Sequence, residues 1–185
     1  TRRDGAGSRE ESGPRSAAAL LALASVLCAT SLRLDAATNT WAPIGPAGVE
    51  VKALAVSPAS PSTIVAGTPS GYAVTTSGGA SWNAVTTGYE TFALAFDPSD
   101  PAIVYAATGG ALARSADGGA TYTPVLLDSA YCVVIDPTSP HVVYAGTTDH
   151  VYKSVDRGLT WNVVYTGVGH MFVNAIAVDP SSPQT

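Results

Sequence analysis

Basic side chains are scarce over most of this sequence. The 185 residues contain nine Lys and Arg against 14 Asp and Glu, and five of the nine basic residues precede residue 37. The rest of the chain carries four basic residues against ten acidic ones, a net charge of −6. Phosphate groups are neutralised by clustered Lys and Arg, which this part lacks. The composition therefore argues against nucleic acid and against an anionic membrane surface as partners.

Histidine and cysteine are also rare, with three His and two Cys. The histidines show no clustered ligand spacing, so no metal site and no cofactor is predicted. Cys28 lies in an apolar segment that we expect to be removed, which leaves Cys132 alone and allows no intrachain disulfide. Cys132 shares its place in an internal repeat with Ala53, Ala93 and Ala175, which predicts a small buried residue rather than a reactive thiol.

Only one long uncharged apolar run occurs, AAALLALASVLCATSL at residues 17–32. At 16 residues it is short for a membrane span, and it follows Arg15 and precedes small residues, as an export signal does. We predict a signal peptide at 17–36, after a disordered extension at 1–16, and an exported protein, periplasmic or extracellular. An uncleaved anchor or a buried helix is the alternative, and membrane contact is expected only through such an uncleaved segment.

The remaining sequence is rich in Val, Thr, Tyr, Gly and Pro, which favours an all-β fold with many turns. A first motif recurs at intervals of 40 and 39 residues, and a fourth, partial copy follows. Its copies are LAVSPASPSTIVAGT (Leu54–Thr68), LAFDPSDPAIVYAAT (Leu94–Thr108), VVIDPTSPHVVYAGT (Val133–Thr147) and IAVDPSSPQT (Ile176–Thr185). Repetition at this period is typical of stacked supersecondary units.

A second motif begins seven residues after each complete copy: TTSGGASW from Thr75, SADGGATY from Ser115 and SVDRGLTW from Ser154. Its Asp is suited to accept several loop N–H groups, its Gly permits a positive φ, and its aromatic residue is expected to pack between neighbouring sheets. We predict a structural role for the residues that match the pattern: Ser115, Asp117, Gly119, Thr121, Tyr122, Ser154, Asp156, Gly158, Thr160 and Trp161.

Alternation and turn residues predict four short strands per unit. In the third unit these are Cys132–Ile135, Val142–Gly146, Val151–Ser154 and Thr160–Tyr165. Four strands in about 40 residues is the arithmetic of a propeller blade. We therefore predict an incomplete β-propeller over 37–185, with about three four-stranded blades and parts of two others. Trp41 occupies the same position in the repeat as Trp82, so we predict that the propeller begins with a fourth strand.

SADGGATY and SVDRGLTW resemble the Asp-box, or BNR, repeat of sialidases, xyloglucan-cleaving glycosidases, sortilin-type receptors and photosystem II assembly factors of the Ycf48 kind. The resemblance covers about residues 41–185. It implies that the box lies on the hairpin between the third and fourth strands, away from the ligand-binding face, and is structural. The first copy departs from the pattern because Ser77 stands in place of the Asp, so we expect a less firmly held turn there.

The loops between second and third strands and the loops between blades differ from one repeat to the next. Variable loops on a regular scaffold are where binding residues usually lie. We therefore select as weak ligand-binding candidates Tyr89, Glu90, Asp128, Tyr131, Asp149, His150 and His170. The alternative for each is an ordinary solvated loop residue, and His141 is expected to be a turn residue rather than a ligand.

No catalytic residue is assigned. Sialidases grip a substrate carboxylate with arginines, and this part of the chain has only Arg114 and Arg157. Hydrolysis of xyloglucan needs two carboxylates across a cleft. The resemblance implies that one of them lies beside the loop between second and third strands, and only Asp149 lies in such a loop. We expect a non-enzymatic exported propeller that presents its loops to a protein or glycan, as receptors and assembly factors do. The alternative is a glycoside hydrolase whose catalytic residues lie mostly in other blades.

Overall fold

The computed structural model describes residues 43–167 and 171–181. Within them the chain forms three four-stranded antiparallel sheets, which we call blades I, II and III. Blade I contains β1 (Ala53–Val56), β2 (Ile64–Thr68), β3 (Gly71–Thr75) and β4 (Asn83–Thr86). Blade II contains β5 (Thr91–Phe96), β6 (Val104–Thr108), β7 (Leu112–Ser115) and β8 (Thr123–Leu126). Blade III contains β9 (Ala130–Ile135), β10 (Val143–Thr147), β11 (His150–Ser154) and β12 (Asn162–Thr166).

Each blade is a meander in which consecutive strands are neighbours. The blades meet through their first strands, because β1 contacts β5 and β5 contacts β9, with further contacts from β2 to β5 and from β6 to β9. Successive meanders that converge on their first strands have the radial arrangement of a β-propeller. The predicted all-β propeller architecture is confirmed for these three blades.

The predicted strand boundaries in blade III need small corrections. The first strand begins at Ala130 instead of Cys132, the second is Val143–Thr147, and the third begins at His150. The fourth begins at Asn162 rather than Thr160. Thr160 bonds through both its backbone N–H and its hydroxyl to the Asp156 carboxylate, so it belongs to the turn instead of the strand.

The core lies between the blades and is densest in blade II. Val104, Tyr105, Ala106 and Ala107 of β6 are all at most 2% exposed. In contrast, every residue of the outer strands β4 and β12 is exposed. Blade II, which has a neighbouring blade on both sides, therefore buries its second strand, whereas β1 of blade I leaves Leu54 and Val56 exposed.

Small residues near the ends of second strands allow the next blade to approach. A Cβ on Gly67 would lie 2.8 Å from Thr91 Cγ2, and a Cβ on Gly146 would lie 2.6 Å from both Val173 Cγ1 and Cys132 Sγ. The same repeat position holds Ala107 in blade II. Cys132 is buried and donates to the Val173 carbonyl at 3.2 Å, which confirms the prediction of a small packed residue.

Pro43–Lys52 contains no strand, so the fourth strand predicted near Trp41 does not extend into the described residues. Trp41 itself, the predicted extension and the predicted signal peptide lie outside them. The Ile44 carbonyl nevertheless accepts a hydrogen bond from the Trp82 indole at 2.6 Å. At its end, the Lys52 N–H also donates to the Gly67 carbonyl of β2 at 2.9 Å. A strand needs a ladder of such backbone bonds, which this segment does not form with blade I.

Candidate functional site

The turns between third and fourth strands, here called box turns, are Thr75–Trp82, Ser115–Tyr122 and Ser154–Trp161. In blade II the Ser115 hydroxyl donates to Asp117 Oδ1 at 2.7 Å and accepts from the Gly119 N–H at 2.9 Å. Thr121 donates to both carboxylate oxygens of Asp117, from its backbone N–H at 2.9 Å and from its hydroxyl at 2.6 Å. The carboxylate is therefore occupied in holding its own turn closed.

The same pattern recurs in blade III and is weaker in blade I. Asp156 Oδ1 accepts from the Ser154 hydroxyl at 2.7 Å and from the Leu159 N–H at 3.0 Å. In blade I the single hydroxyl oxygen of Ser77 accepts from the Ser81 N–H at 3.0 Å and lies 3.2 Å from the Ser81 hydroxyl. In blade I, one neutral hydroxyl oxygen thus replaces the two carboxylate oxygens of the Asp in blades II and III.

The box aspartates are strongly acidic because of these bonds. The hydroxyl and then the backbone N–H of Thr121 lower the pKa of Asp117 to about 2. Thr160 does the same for Asp156, again through its hydroxyl first, and its pKa is also about 2. A carboxylate held in this form is a poor proton donor at neutral pH, so the arrangement stabilises a turn and does not supply an acid catalyst.

The box turns and the turns between first and second strands lie at the same end of the blades. Gly78 N–H donates to the Ser62 carbonyl at 2.8 Å, Gly118 N–H to Ala102 at 2.8 Å, and Arg157 N–H to His141 at 2.9 Å. We call this the turn end, and the opposite end, with the loops between second and third strands and between blades, the loop end. His141 is an exposed turn residue, as expected.

Arg157 links two blades at the turn end. It has a φ of 59°, in the region that side chains seldom adopt, at a position where the other box turns have glycine. Its Nε lies 3.6 Å from Oδ2 of the buried Asp97, and its Nη2 donates to the Ser99 hydroxyl at 3.2 Å. Asp97 Oδ1 also accepts from the Ser99 N–H at 2.8 Å. The guanidinium is therefore used in packing blade III on blade II.

Aromatic side chains form a row at the loop end. The Phe92 and Tyr131 ring centroids are 5.0 Å apart, and those of Tyr131 and Phe172 are 5.1 Å apart. Phe92 and Tyr131 occur where the pairing register shifts, between Thr91 and Ala93 and between Ala130 and Cys132. A β-bulge re-aims the extra residue, which explains how two inner-strand residues come to share one row. We call Phe92, Tyr131 and Phe172 the aromatic row.

Polar candidates gather next to β11. Asp128 Oδ2 accepts from the Tyr152 hydroxyl at 3.4 Å and lies 3.9 Å from His150 Nδ1. The His150 and Tyr152 rings are 5.6 Å apart. Burial first, and then the Asp128 carboxylate, raise the pKa of Tyr152, so its hydroxyl remains a donor at neutral pH. Asp149 Oδ1 accepts from the Met171 N–H at 3.3 Å, which ties two loops together.

The other candidates lie nearer blade I. Tyr89 is 54% exposed and lies against Gly110, where a Cβ would be 2.8 Å from its ring. Glu90 lies 3.6 Å from the ammonium of Lys52, which also pairs with Glu50 at 3.0 Å. His170 lies outside the described residues. The structure therefore brings Asp128 and His150 together, with Tyr131 in the aromatic row and Tyr89 and Glu90 towards blade I.

Sequence reasoning missed Phe92, Tyr152 and Phe172. Phe92 and Tyr131 share a position in the repeat, two residues before Leu94 and Val133, and this was the available signal. Tyr152 was assigned only to a strand, although Ala73 and Ala113 stand at its position in the other blades. Because the other two blades have alanine at this position, the Tyr152 side chain is a feature of the gap between blades II and III, where it reaches Asp128.

In the described part of the chain, no group of three or more His, Cys, Asp or Glu is arranged to hold a metal ion. Nor do residues 43–167 and 171–181 contain a helix that is long and apolar enough to span a membrane.

Comparison with known proteins supports the class that the geometry defines, a β-propeller. No protein-family model and no curated protein sequence matches the chain. An ancestral GH74 enzyme is 29% identical with a TM-score of 0.56, over 60% of this chain and 18% of that chain. The GH74 xyloglucanase from Xanthomonas campestris is 22% identical with a TM-score of 0.52, over 66% and 22% of the two chains.

YCF48 from Cyanidioschyzon merolae is 18% identical with a TM-score of 0.52, over 64% of this chain and 38% of that chain. A second YCF48 structure, bound to D1 peptide, is 13% identical with a TM-score of 0.50, over 62% and 40%. The chain thus spans about a fifth of the GH74 enzymes and about two fifths of the YCF48 proteins. These similarities join an enzyme family and a peptide-bound protein on one fold.

Proposed function

We propose that the chain is part of an exported, non-enzymatic propeller of the Asp-box type whose loop end binds a protein or a glycan. The aromatic row carries this proposal. Its three rings lie at ring-to-ring distances of 5.0 and 5.1 Å, and Phe172 is 57% exposed. Exposed aromatic surface beside polar groups is the usual composition of a recognition site for peptides or sugars.

The state of the acidic residues supports binding rather than hydrolysis. Asp117 and Asp156 are bonded within their own turns, Asp128 accepts from Tyr152, and Glu90 lies beside Lys52. Glycoside hydrolysis requires one carboxylate to donate a proton and another to act on the opposite side of the sugar. These four carboxyl groups are engaged with neighbours of their own chain. Export rests on the apolar segment at 17–32, which lies outside the described residues.

The test is binding of the full chain to two probes, xyloglucan by affinity electrophoresis and an array of short peptides, with reducing-sugar release measured in parallel. We expect retention by one probe and no sugar release. Tyr131→Ala weakens retention at least about tenfold, because central aromatic residues dominate recognition energies. Leu159→Ala is the matched control, since Leu159 is 69% exposed in a box turn at the opposite end, and it leaves retention unchanged.

A glycoside hydrolase is the second candidate, favoured by the 29% identity to an ancestral GH74 enzyme and by Asp149 in a loop between second and third strands. Under this alternative, xyloglucan yields new reducing ends, and Asp149→Asn abolishes their release while retention persists. That outcome contradicts the non-enzymatic proposal. Failure of both probes to bind contradicts both functions for these blades.

A further inference from the structure

Four short loops lie at the loop end beside the aromatic row, namely 109–111, 127–129, 148–149 and 171–172. The Ser129 hydroxyl donates to the Gly109 carbonyl at 2.7 Å, and the Asp149 carboxylate accepts from the Met171 N–H at 3.3 Å. A Cβ on Gly109 would lie 3.7 Å from the Phe92 ring. We call these four segments the row loops, because they provide the polar surroundings of the three rings.

The charged side chains in the row loops are acidic. Asp128 and Asp149 are their carboxylates, and the four segments contain no Lys or Arg. The basic residues in the described part of the chain lie elsewhere: Lys52 is beside two glutamates at blade I, and Arg114, Lys153 and Arg157 lie in a box turn or one residue before it. A partner that docks on the aromatic row therefore meets negative charge, and charge complementarity favours a cationic group.

The Asp128 carboxylate has room for further hydrogen bonds. Its side chain is 31% exposed, and it accepts from the Tyr152 hydroxyl at 3.4 Å. His150 Nδ1 lies 3.9 Å away, too far for a hydrogen bond. A carboxylate accepts about four hydrogen bonds, so Asp128 keeps acceptor capacity for a ligand.

The polar groups of the row loops match a ligand that only donates hydrogen bonds. The described residues of these loops include no Asn or Gln, and the Ser129 hydroxyl is already bonded to Gly109. Sugars present donors and acceptors together, whereas a guanidinium group presents N–H donors and no acceptor. Among cationic side chains, arginine therefore suits these acceptors.

The rings of the row supply the other half of the recognition. Phe172 is 57% exposed, and Tyr131, three residues after Asp128, is half-buried beside it. The face of an aromatic ring attracts a cation, and a planar guanidinium can stack on it while its N–H groups reach a carboxylate. The same surface thus offers both stacking and ion pairing.

We propose that the aromatic row binds an arginine side chain of a partner protein, with the guanidinium stacked on Tyr131 and Phe172 and bonded to the Asp128 carboxylate. This inference rests on the proposed binding function, because it specifies the partner as a protein and names one residue that the partner inserts. It separates basic protein segments from neutral and acidic ones.

The test titrates three blocked tripeptides into the full chain labelled with nitrogen-15 and follows the NMR signals of Tyr131 and Phe172. The central residue is arginine, citrulline or glutamate, and citrulline has the shape of arginine without its charge. We expect the arginine peptide to give saturable shifts and to bind at least about tenfold more tightly than the citrulline peptide. Added salt reduces this preference, because it screens exposed charges.

Asp128→Asn keeps the side-chain shape and removes the charge, so it weakens binding of the arginine peptide at least about threefold and leaves the citrulline peptide unaffected. Glu50→Gln is the matched control, because it removes one negative charge beside Lys52 at blade I, and it changes neither affinity. Tyr131→Ala weakens both peptides, since each loses the ring on which it stacks.

Absence of a saturable shift, equal affinity for arginine and citrulline, tighter binding of the glutamate peptide, or an Asp128→Asn variant that binds like the parent would each overturn the assignment. The comparison of arginine with citrulline needs no variant, so it holds even if a substituted chain fails to fold. Retention of xyloglucan or of peptides without arginine that depends on Tyr131 overturns this inference and supports the binding function. Failure of every probe to bind removes the function itself, so the two failures are distinguishable.

Discussion

Residue identity controls how firmly each box turn is closed, and the repeats provide an internal comparison. Asp117 and Asp156 each use two carboxylate oxygens to hold a following Thr, at 2.6 Å for the hydroxyl of Thr121. Ser77 meets Ser81 with a single hydroxyl oxygen at 3.0 and 3.2 Å. The charged acceptors make the stronger bonds, since charge-assisted hydrogen bonds are roughly twice as strong as neutral ones.

We predict that Ser77→Asp stabilises the fold by about 1 kcal/mol at neutral pH, because Ser81 can supply the donors that Thr121 supplies to Asp117. The gain depends on pH in a defined direction. The pKa of Asp117 and of Asp156 is about 2 in the folded chain, below the ordinary value of 3.8, so the carboxylate form favours folding. The contribution of the new Asp is therefore complete above about pH 4 and lost as the pH falls towards 2. Urea unfolding between pH 2 and 7 measures it.

Ser77→Ala is the control for this prediction. It removes the existing acceptor without adding a charge, so it is expected to lower the free energy of unfolding by a similar amount at every pH. A Ser77→Asp variant that is no more stable than the parent at pH 7, or equally stabilised at pH 2, contradicts the argument.

At the scale of strands, the sequence predicted the number, order and approximate position of the elements well. The repeated Asp-Pro motif marks the turn between first and second strands, and the box motif marks the turn between third and fourth strands. Between these motifs, alternating residue types mark the strands. The fourth strand of blade III was predicted two residues too early, because the alternation of residues does not show that Thr160 is bonded to Asp156 and so belongs to the turn.

The candidate site was less predictable, for a physical reason. The bulges at Phe92 and Tyr131 depend on pairing with β6 and β10, and no local pattern specifies such a register shift. Likewise, the bond from Tyr152 to Asp128 joins residues 24 positions apart across a gap between blades. Sequence reasoning therefore selected Asp128, Tyr131 and His150 by their loop positions and missed the aromatic partners that organise them.

The approach of consecutive blades provides a prediction at this scale. Gly146→Ala is expected to cost about 1 to 3 kcal/mol, because the new Cβ would lie 2.6 Å from both Cys132 Sγ and Val173 Cγ1. Cys132 and Val173 correspond to Ala93 and Ala130, and Gly146 to Ala107, so three alanines are accommodated one blade earlier. In a Cys132→Ala/Val173→Ala background, the same substitution should cost close to zero. Urea unfolding of the four variants gives the coupling energy. An equal cost in both backgrounds would contradict the proposed contact.

Across the described structure, the second strands of blades II and III are buried, whereas the outer strands β4 and β12 are exposed. The four β6 residues from Val104 to Ala107 are at most 2% exposed, and Val143 and Ala145 of β10 are fully buried. All residues of β4 and β12 are exposed, and each of these strands pairs on one side only. Local opening requires less disruption at the outer edge than at the inner strands.

We therefore predict that backbone amides of β6 exchange with solvent at least about 100-fold more slowly than hydrogen-bonded amides of β4 and β12. Native-state hydrogen exchange followed by NMR measures this gradient, and β10 serves as an internal control that should behave like β6. Equal protection of β6 and of both β4 and β12 would contradict the predicted gradient.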